Sequence, residues 1–436
     1  MAGRRVLALA VTAVVAAGCL VACGGDGAKS DAKAELQIWV RKPPGSNTEK
    51  TDQQLAAAFT AKTGVPARVT ALFDDFETKL QQAAAQKKLP DIVINDTDRL
   101  GGLVKQGLVR EVDTKPADLT PSSWSAATGA DGKVYGVPFS AQSFALFIRK
   151  DWRTKLGLTL PTSWADLDAL ATAFTTRDPD GNGKPDTYGY VIPASTKRGY
   201  TSWYFANFLW SAGGDFLTGA NGKFTPAINT PQSLAAVQEF QKQFCTDKSV
   251  VPGSVTAETT QAHPLFETGK GGVYLTGPYN MARFDKNLGK DKYEVVALPA
   301  GPGGKSVSLA EGENIYLMAG SANPAGQTEF AEYATSVEGQ TLGMAGDTDG
   351  NVVRLPVNTK VDMASVRKDT RWQLFADIYR DGARYVPVVP DWTPFRQSSA
   401  DTLNALVADC ATDPKTALDK LAGTFADELT KQGAKA

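Results

Sequence analysis

Residues Asp178 to Asp186, running Asp-Pro-Asp-Gly-Asn-Gly-Lys-Pro-Asp, place oxygen-bearing side chains at the first, third, fifth and ninth positions of a loop. With glycine at the sixth position to allow a sharp turn, this matches the first part of a calcium loop, and Asp178, Asp180, Asn182, Lys184 and Asp186 are its candidate ligands. The closing bidentate glutamate is missing, because Gly189 stands at the twelfth position. A structural calcium and a metal-free Asp/Asn/Gly turn are both open, and no other cofactor is required. The single histidine, His263, cannot build a His-rich zinc site, and beside Pro264 it reads as structural, not catalytic.

The other reactive side chains are cysteines, at 19, 23, 245 and 410 of the 436-residue chain. Arg4 and Arg5 precede an apolar run from Val6 to Ala22, with Leu20 three places and Ala22 one place before Cys23, which is the layout of a cleaved export signal. Leu20-Val21-Ala22-Cys23 resembles the lipobox of bacterial lipoproteins. That resemblance implies a signal peptide over 1–22, cleavage before Cys23 and a diacylglycerol on its thiol. Each buried methylene contributes about 0.8 kcal/mol, so two or three acyl chains would hold the domain at a membrane, outside the cytoplasm. An uncleaved anchor helix is the rival, but the run is short against the ~20 residues of a bilayer span. Cys19 is a second rival, with Ala16 a poorer residue three places before it than Leu20. The arginine pair lacks the flanking residues of a twin-arginine signal and reads as an ordinary positive start. In an oxidising compartment Cys245 and Cys410 either form a disulfide or are two small buried residues, Cys410 continuing an apolar spacing through Leu403, Leu406 and Val407. The formal net charge of −1 and the lack of a basic stripe argue against nucleic acid as a partner.

The elements that must position any site alternate in type. Residues 23–34, rich in Gly, Ala, Lys and Asp, read as a flexible tether. Leu36–Val40 then reads as a strand, Gln54–Thr63 as a helix closed by Gly64, Val65–Leu72 as a strand, Phe76–Lys87 as a helix and Pro90–Ile94 as a strand. This alternation predicts an α/β fold on a mostly parallel sheet, with ligands beyond the C-terminal strand ends. Further on, Ser163-Trp164-Ala165-Asp166 resembles a capping box for a helix whose Trp164, Leu167, Leu170, Ala171 and Phe174 face a core. Thr230-Pro231 opens another, with Leu234, Val237, Phe240 and Phe244 on one side. Leu403 to Leu429 is again helical, interrupted near Asp413-Pro414. A chain of this length is more than one core usually serves, so two lobes are expected.

Several segments together resemble the extracellular solute-binding proteins of ABC importers, in the branch that includes the maltose-binding protein. In order they are Pro90-Asp91-Ile92-Val93, Gly107-Leu108-Val109, Asp131 to Phe139, Arg149-Lys150-Asp151, Pro161 to Trp164, Gly277-Pro278-Tyr279, and a helix from Asn323-Pro324-Ala325 to Glu338-Gly339-Gln340. The resemblance covers nearly all of Leu36 to Gln432. It implies a two-lobe, type II periplasmic-binding fold with the ligand in the cleft between lobes. Carried onto this chain, 35–143 with 306–360 form the N-lobe and 144–305 with 361–436 the C-lobe. It further implies a monomeric receptor that captures a sugar by hinge closure and delivers it to a membrane permease, without catalysis.

A sugar presents C–H faces that stack on aromatic rings and hydroxyls that need planar hydrogen-bonding groups. At family-matching places the stacking candidates are Trp203 and Tyr279, the latter where the family commonly has tryptophan. Trp39, closing the first strand, and Trp392, in a late crossover, join them. Trp152 and Trp164 read as core. The polar candidates are Asn95, Asp96 and Asp98 after the third strand, and Gln142 where related binders often carry a carboxylate. Asp74 or Asp75, Arg41, and Glu311 or Glu313 complete the set. The rival from another class is a secreted, lipid-anchored glycoside hydrolase, which needs two opposed carboxylates and, in its common barrel form, about eight strand-helix repeats that are not seen.

Overall fold

The computed structural model describes residues 31–73, 75–345 and 355–436. Cys19, Leu20 to Cys23 and Asp74 lie outside them. Strand β1 (Leu36–Arg41) turns Leu36, Ile38 and Val40 inward, all fully buried, and leaves Gln37, Trp39 and Arg41 on the other face. β2 (Ala67–Leu72) and β3 (Ile92–Asp96) flank it in parallel, connected through helices Asn47–Thr63 and Phe76–Ala85. The first helix starts well before Gln54 because the Ser46 hydroxyl accepts from the Glu49 amide and caps it.

β4 (Val137–Gln142) ends this first pass. β5 (Ala145–Arg149) and β6 (Tyr188–Val191) open a second sheet, β7 (Leu217–Ala220) and β8 (Lys223–Pro226) form a separate hairpin, and β9 (Gly271–Thr276) and β10 (Tyr293–Val296) complete the second sheet. The chain returns through β11 (Ser308–Leu309), β12 (Glu311–Leu317) and β13 (Leu355–Pro356), and β14 (Ala383–Arg384) pairs with β11. The six-stranded sheet is ordered β13-β4-β12-β3-β1-β2 and the four-stranded sheet β10-β5-β9-β6. With their helices these are the two lobes of an α/β fold. The larger sheet is mixed, not mostly parallel: β12 enters from the other lobe and runs antiparallel to both β3 and β4.

Aromatic packing fills the second lobe. Phe147 lies 5.5 Å from Phe284 and 5.7 Å from Tyr293, Trp152 meets Phe174 at 5.5 Å, and Trp164 meets Phe208 at 5.4 Å. Ser163 and Asp166 form a reciprocal capping box on helix Trp164–Thr176. The single helix expected from Asn323 to Gln340 is instead two, Pro324–Thr335 and Val337–Ala345. Ser336, at φ −65° and ψ 164°, turns the chain and its hydroxyl accepts from the Gly339 amide. Toward the C-terminus, helices Thr393–Ala408 and Pro414–Lys431 separate where Asp413 caps the second.

Cys245, the last residue of helix Pro231–Cys245, is disulfide-bonded to Cys410. Cys410 is exposed, because the helix carrying Leu403 and Leu406 ends at Ala408; it does not continue that buried stripe. The end of the expected tether is docked. The Asp31 amide donates to the Ala322 carbonyl at 3.0 Å, and Asn323 Nδ2 donates to the carbonyls of Ala32 and Ala34 at 3.2 and 2.9 Å. Among the described residues no helix is long and apolar enough to cross a membrane.

Candidate ligand-binding site

The C-terminal ends of β1, β3 and β4 and the start of β12 face helix Tyr200–Ser211 across a cavity of about 330 Å³. β1 supplies Arg41, β3 ends on Asp96, the turn after it supplies Asp98 and Arg99, β4 ends on Gln142 and β12 begins with Glu311. From the other lobe come Trp203 on the helix, Tyr279 after β9, and Trp392 and Arg396 at the start of helix Thr393–Ala408. β12 can approach β4 this closely because residue 312 is glycine: a Cβ there would collide with the Ser140 carbonyl oxygen.

Glu311 joins the two sides. It accepts from the Trp203 indole N–H and, at 3.3 Å, from Gln142 Nε2. Phe144 at 4.7 Å and Tyr200 at 6.3 Å, both edge-on, hold the Trp203 ring. The Tyr279 hydroxyl accepts from Thr276 Oγ1 at 3.1 Å, and burial pushes its phenol well above the ordinary value, so it is a neutral hydrogen-bonding group. Behind it sits His263, whose Nδ1 accepts from Asn280 Nδ2 at 3.2 Å. Burial, with Arg283 adding to it, lowers the His263 pKa to about 4, which makes this a neutral supporting residue.

The charged wall is internally paired. Arg41 bonds Asp96 at 3.1 Å and lies 4.8 Å from the Phe73 ring centre. Asp98 meets Arg99 at 3.2 Å and, reaching to the other lobe, Arg396 at 2.7 Å. The Asp98 charge raises the Arg99 pKa above its ordinary value.

Of the sequence candidates, Arg41, Asp96, Asp98, Gln142, Trp203, Tyr279, Glu311 and Trp392 line this cavity. Trp39, Asp75 and Asn95 do not. Trp39 stops two residues short of the end of β1 and lines a separate open groove with Thr70 and Lys79. Asn95 alternates to the inner side of β3, is 2% exposed, and its Oδ1 accepts from the Asp96 amide at 2.8 Å. Asp75 is half-exposed and pairs with Lys79 at 2.8 Å. Glu313 is buried against Lys42 at 2.6 Å. Trp392 is 6% exposed and stacks on Phe395 at 5.6 Å, so it contributes an edge more than a platform. Arg99, Arg198, Tyr200 and Arg396 also line the cavity and were missed. Tyr200 sits three residues before Trp203 and Arg396 four after Trp392, so helical spacing carried their signal. Nothing in the sequence marks Arg198.

The Asp178–Asp186 loop is closed by its own hydrogen bonds. Asp178 Oδ1 accepts from the amides of Gly181 and Asn182, and its Oδ2 from that of Gly183. Asn182 Nδ2 donates to Asp180 and Asp186, the Lys184 amide donates to Asn182, and Lys270 pairs with Asp186 at 2.9 Å. Among the described residues no group of three or more His, Cys, Asp or Glu is placed to hold a metal ion.

Residues 45–341 match the bacterial extracellular solute-binding protein family, and the chain belongs to it. A maltooligosaccharide ABC transporter solute-binding lipoprotein of Streptococcus pneumoniae is 25% identical over 348 residues, which is 76% of each chain. A probable ABC transporter-binding protein of Deinococcus radiodurans is 26% identical over 296 residues, 65% of this chain and 68% of that one. Among solved structures, the GacH receptor of Streptomyces glaucescens superposes with a TM-score of 0.75 at 20% identity, covering 92% of this chain and 99% of that one. That likeness is one of fold, the two-lobe type II arrangement.

Proposed function

We propose that this protein is an extracytoplasmic receptor that captures a mono- or oligosaccharide between its lobes and delivers it to the permease of an ABC importer, with no catalytic activity of its own. The carrying observation is one cavity in which the rings of Trp203 and Tyr279 stand beside the planar polar groups of Gln142, Glu311, Asp96 and Asp98. Rings suit the C–H faces of a sugar, and the amide and carboxylates suit its hydroxyls. The name of the Streptococcus pneumoniae relative, a maltooligosaccharide lipoprotein of an ABC transporter, supports the same ligand class and partner. A lipid on Cys23 anchors the chain, which acts as a monomer. Residues 35–143 with 306–360 move as one lobe and 144–305 with 361–436 as the other, closing about the strands that cross between them.

A glycoside hydrolase would need a proton-donating acid opposed to a second carboxylate. Here each cleft carboxylate already accepts from an arginine, indole or amide donor, an arrangement suited to holding a ligand. A thermal-shift screen over a carbohydrate library tests capture, since a ligand at a hundred times its Kd should stabilise the fold by about 2.7 kcal/mol. Candidate oligosaccharides should come back uncut from incubation. A library in which no saccharide raises the melting temperature would remove the sugar reading.

A further inference from the structure

Hydrogen-bond accounting around the cavity leaves an imbalance. Asp98 is taken by Arg396 and Arg99, Asp96 by Arg41, and Glu311 by the Trp203 indole and the Gln142 amide. Every carboxylate on the wall is therefore already in an ion pair or a hydrogen bond, and Asp98 Oδ1, which makes no hydrogen bond, is buried against Arg99. The exposed group without a partner is of the opposite kind. Arg198 lines the cavity and is exposed, and it has no ion pair or hydrogen bond from its side chain among the described residues.

Arg198 is also held where an ordinary side chain rarely goes. Its backbone is left-handed, at φ 54° and ψ 16°, a conformation that is uncommon outside glycine and survives only when its surroundings enforce it. Those surroundings are specific. Gln397 Nε2 donates to the Thr196 carbonyl at 2.9 Å and Thr201 Oγ1 to the Ser195 carbonyl at 2.8 Å, pinning both ends of the turn. Gly199, at φ 74°, lets the Arg396 side chain pack directly against the backbone, where a Cβ would collide with it. The turn so enforced sets Arg198 on the cavity wall.

Tyr279 adds a donor of fixed polarity. Asn280 Nδ2 donates to Thr276 Oγ1 at 2.9 Å, and Thr276 Oγ1 passes its own hydrogen to the Tyr279 oxygen at 3.1 Å. The phenol hydrogen then has no acceptor among the described residues and is free for a ligand atom that reaches it. A neutral sugar hydroxyl both gives and accepts hydrogen bonds, whereas an anionic oxygen only accepts, and a guanidinium fork binds carboxylate and phosphate in two-pronged fashion.

Resting on the proposed sugar-binding function, we infer that the saccharide captured in this cleft carries an anionic group, a carboxylate or a phosphate, and that Arg198 reads it with the Tyr279 hydroxyl donating nearby. The test is calorimetric titration of the full chain with matched saccharides. Glucose, galactose and their disaccharides are each set against the uronate and the 6-phosphate counterpart. At least one anionic member should bind about tenfold or more tighter than its neutral partner, and the arm that wins identifies carboxylate or phosphate. Arg198→Gln should collapse that ratio to within about threefold, while Arg198→Lys, keeping charge but losing the fork, should retain an intermediate ratio. Melting curves on both variants confirm that they are folded. Neutral members binding as well as or better than their anionic partners would overturn the inference and leave the sugar reading standing, as would a ratio unchanged in Arg198→Gln. If no member of either kind binds, the inference falls for these saccharides, and the sugar reading falls with it only if the carbohydrate library also gives no thermal shift.

Discussion

Trp203 and Tyr279 separate a ligand-binding role from a structural one, because each is only partly buried while Trp152 in the same lobe is 2% exposed. Trp203→Ala or Tyr279→Ala should weaken saccharide binding about tenfold or more, the loss of a stacking surface being worth on the order of 1.5 kcal/mol, with a small change in the denaturant midpoint. Trp152→Ala should do the reverse, losing about 3–5 kcal/mol of stability. Titration and unfolding on the three variants decide this, and unchanged affinity with a large stability loss would return Trp203 and Tyr279 to the core. His263 supplies a pH signature. Its ordinary value of 6.5 falls to about 4 when buried, so the unfolded chain binds the extra proton between those values. Its contribution is therefore fully present above about pH 6.5 and is lost as pH falls toward 4, by up to about 3 kcal/mol. His263→Asn, whose carbonyl oxygen can still take the Asn280 hydrogen bond, should flatten the stability slope in that window; an unaltered slope would show that His263 is not its source.

Local signals served elements well where one residue decides an end, and poorly where partners come from far along the chain. Ser163-Trp164-Ala165-Asp166 and Thr230-Pro231 marked helix starts because capping is a contact among neighbours. The mixed order of the larger sheet was not legible, since β12 pairs with β3 and β4 only after the chain has built the second lobe. The cleft followed the same division. Arg41, Asp96 and Gln142 stand at strand ends, where an α/β sheet puts its ligands, but strand alternation turned Asn95 inward and the length of β1 left Trp39 short of the cavity. Arg198 depended on a backbone turn enforced by Gln397 and Arg396 from a distant helix, which no local pattern encodes. The Cys245–Cys410 bridge shows this coupling most plainly, tying the end of helix Pro231–Cys245 to the loop after Ala408 across a sequence separation of 165. Closing so long a loop restricts the unfolded chain, so reduction should cost about 2–4 kcal/mol and lower the urea midpoint. Denatured, unreduced protein should show no titratable thiol at Cys245 or Cys410; two reactive thiols would remove the bridge from the native protein.

At the scale of the molecule, the proposed capture depends on where the chain is held and on how far the lobes stand apart. If lipid at Cys23 provides the hold, Cys23→Ser should release the protein from membranes, and a variant that still sediments with them after a carbonate wash, signal removed, would rule that anchor out. Asp98 and Arg396 stand 2.7 Å apart, 22% and 17% exposed, with one on each side of the cleft. A partly shielded, charge-assisted bond of this kind is worth roughly 1–2 kcal/mol, enough to shift an open-closed equilibrium by about five- to thirtyfold. Asp98→Asn keeps the side-chain shape but removes the charge shared by Arg396 and Arg99, and with it the cross-cleft attraction. The ligand-free variant should therefore be more open, with a larger radius of gyration in solution scattering than the wild type. Saturating ligand should return both proteins to one compact value, because the ligand then supplies the contacts that close the lobes. Ligand-free profiles that superimpose for the two proteins would mean that this ion pair does not hold the lobes together.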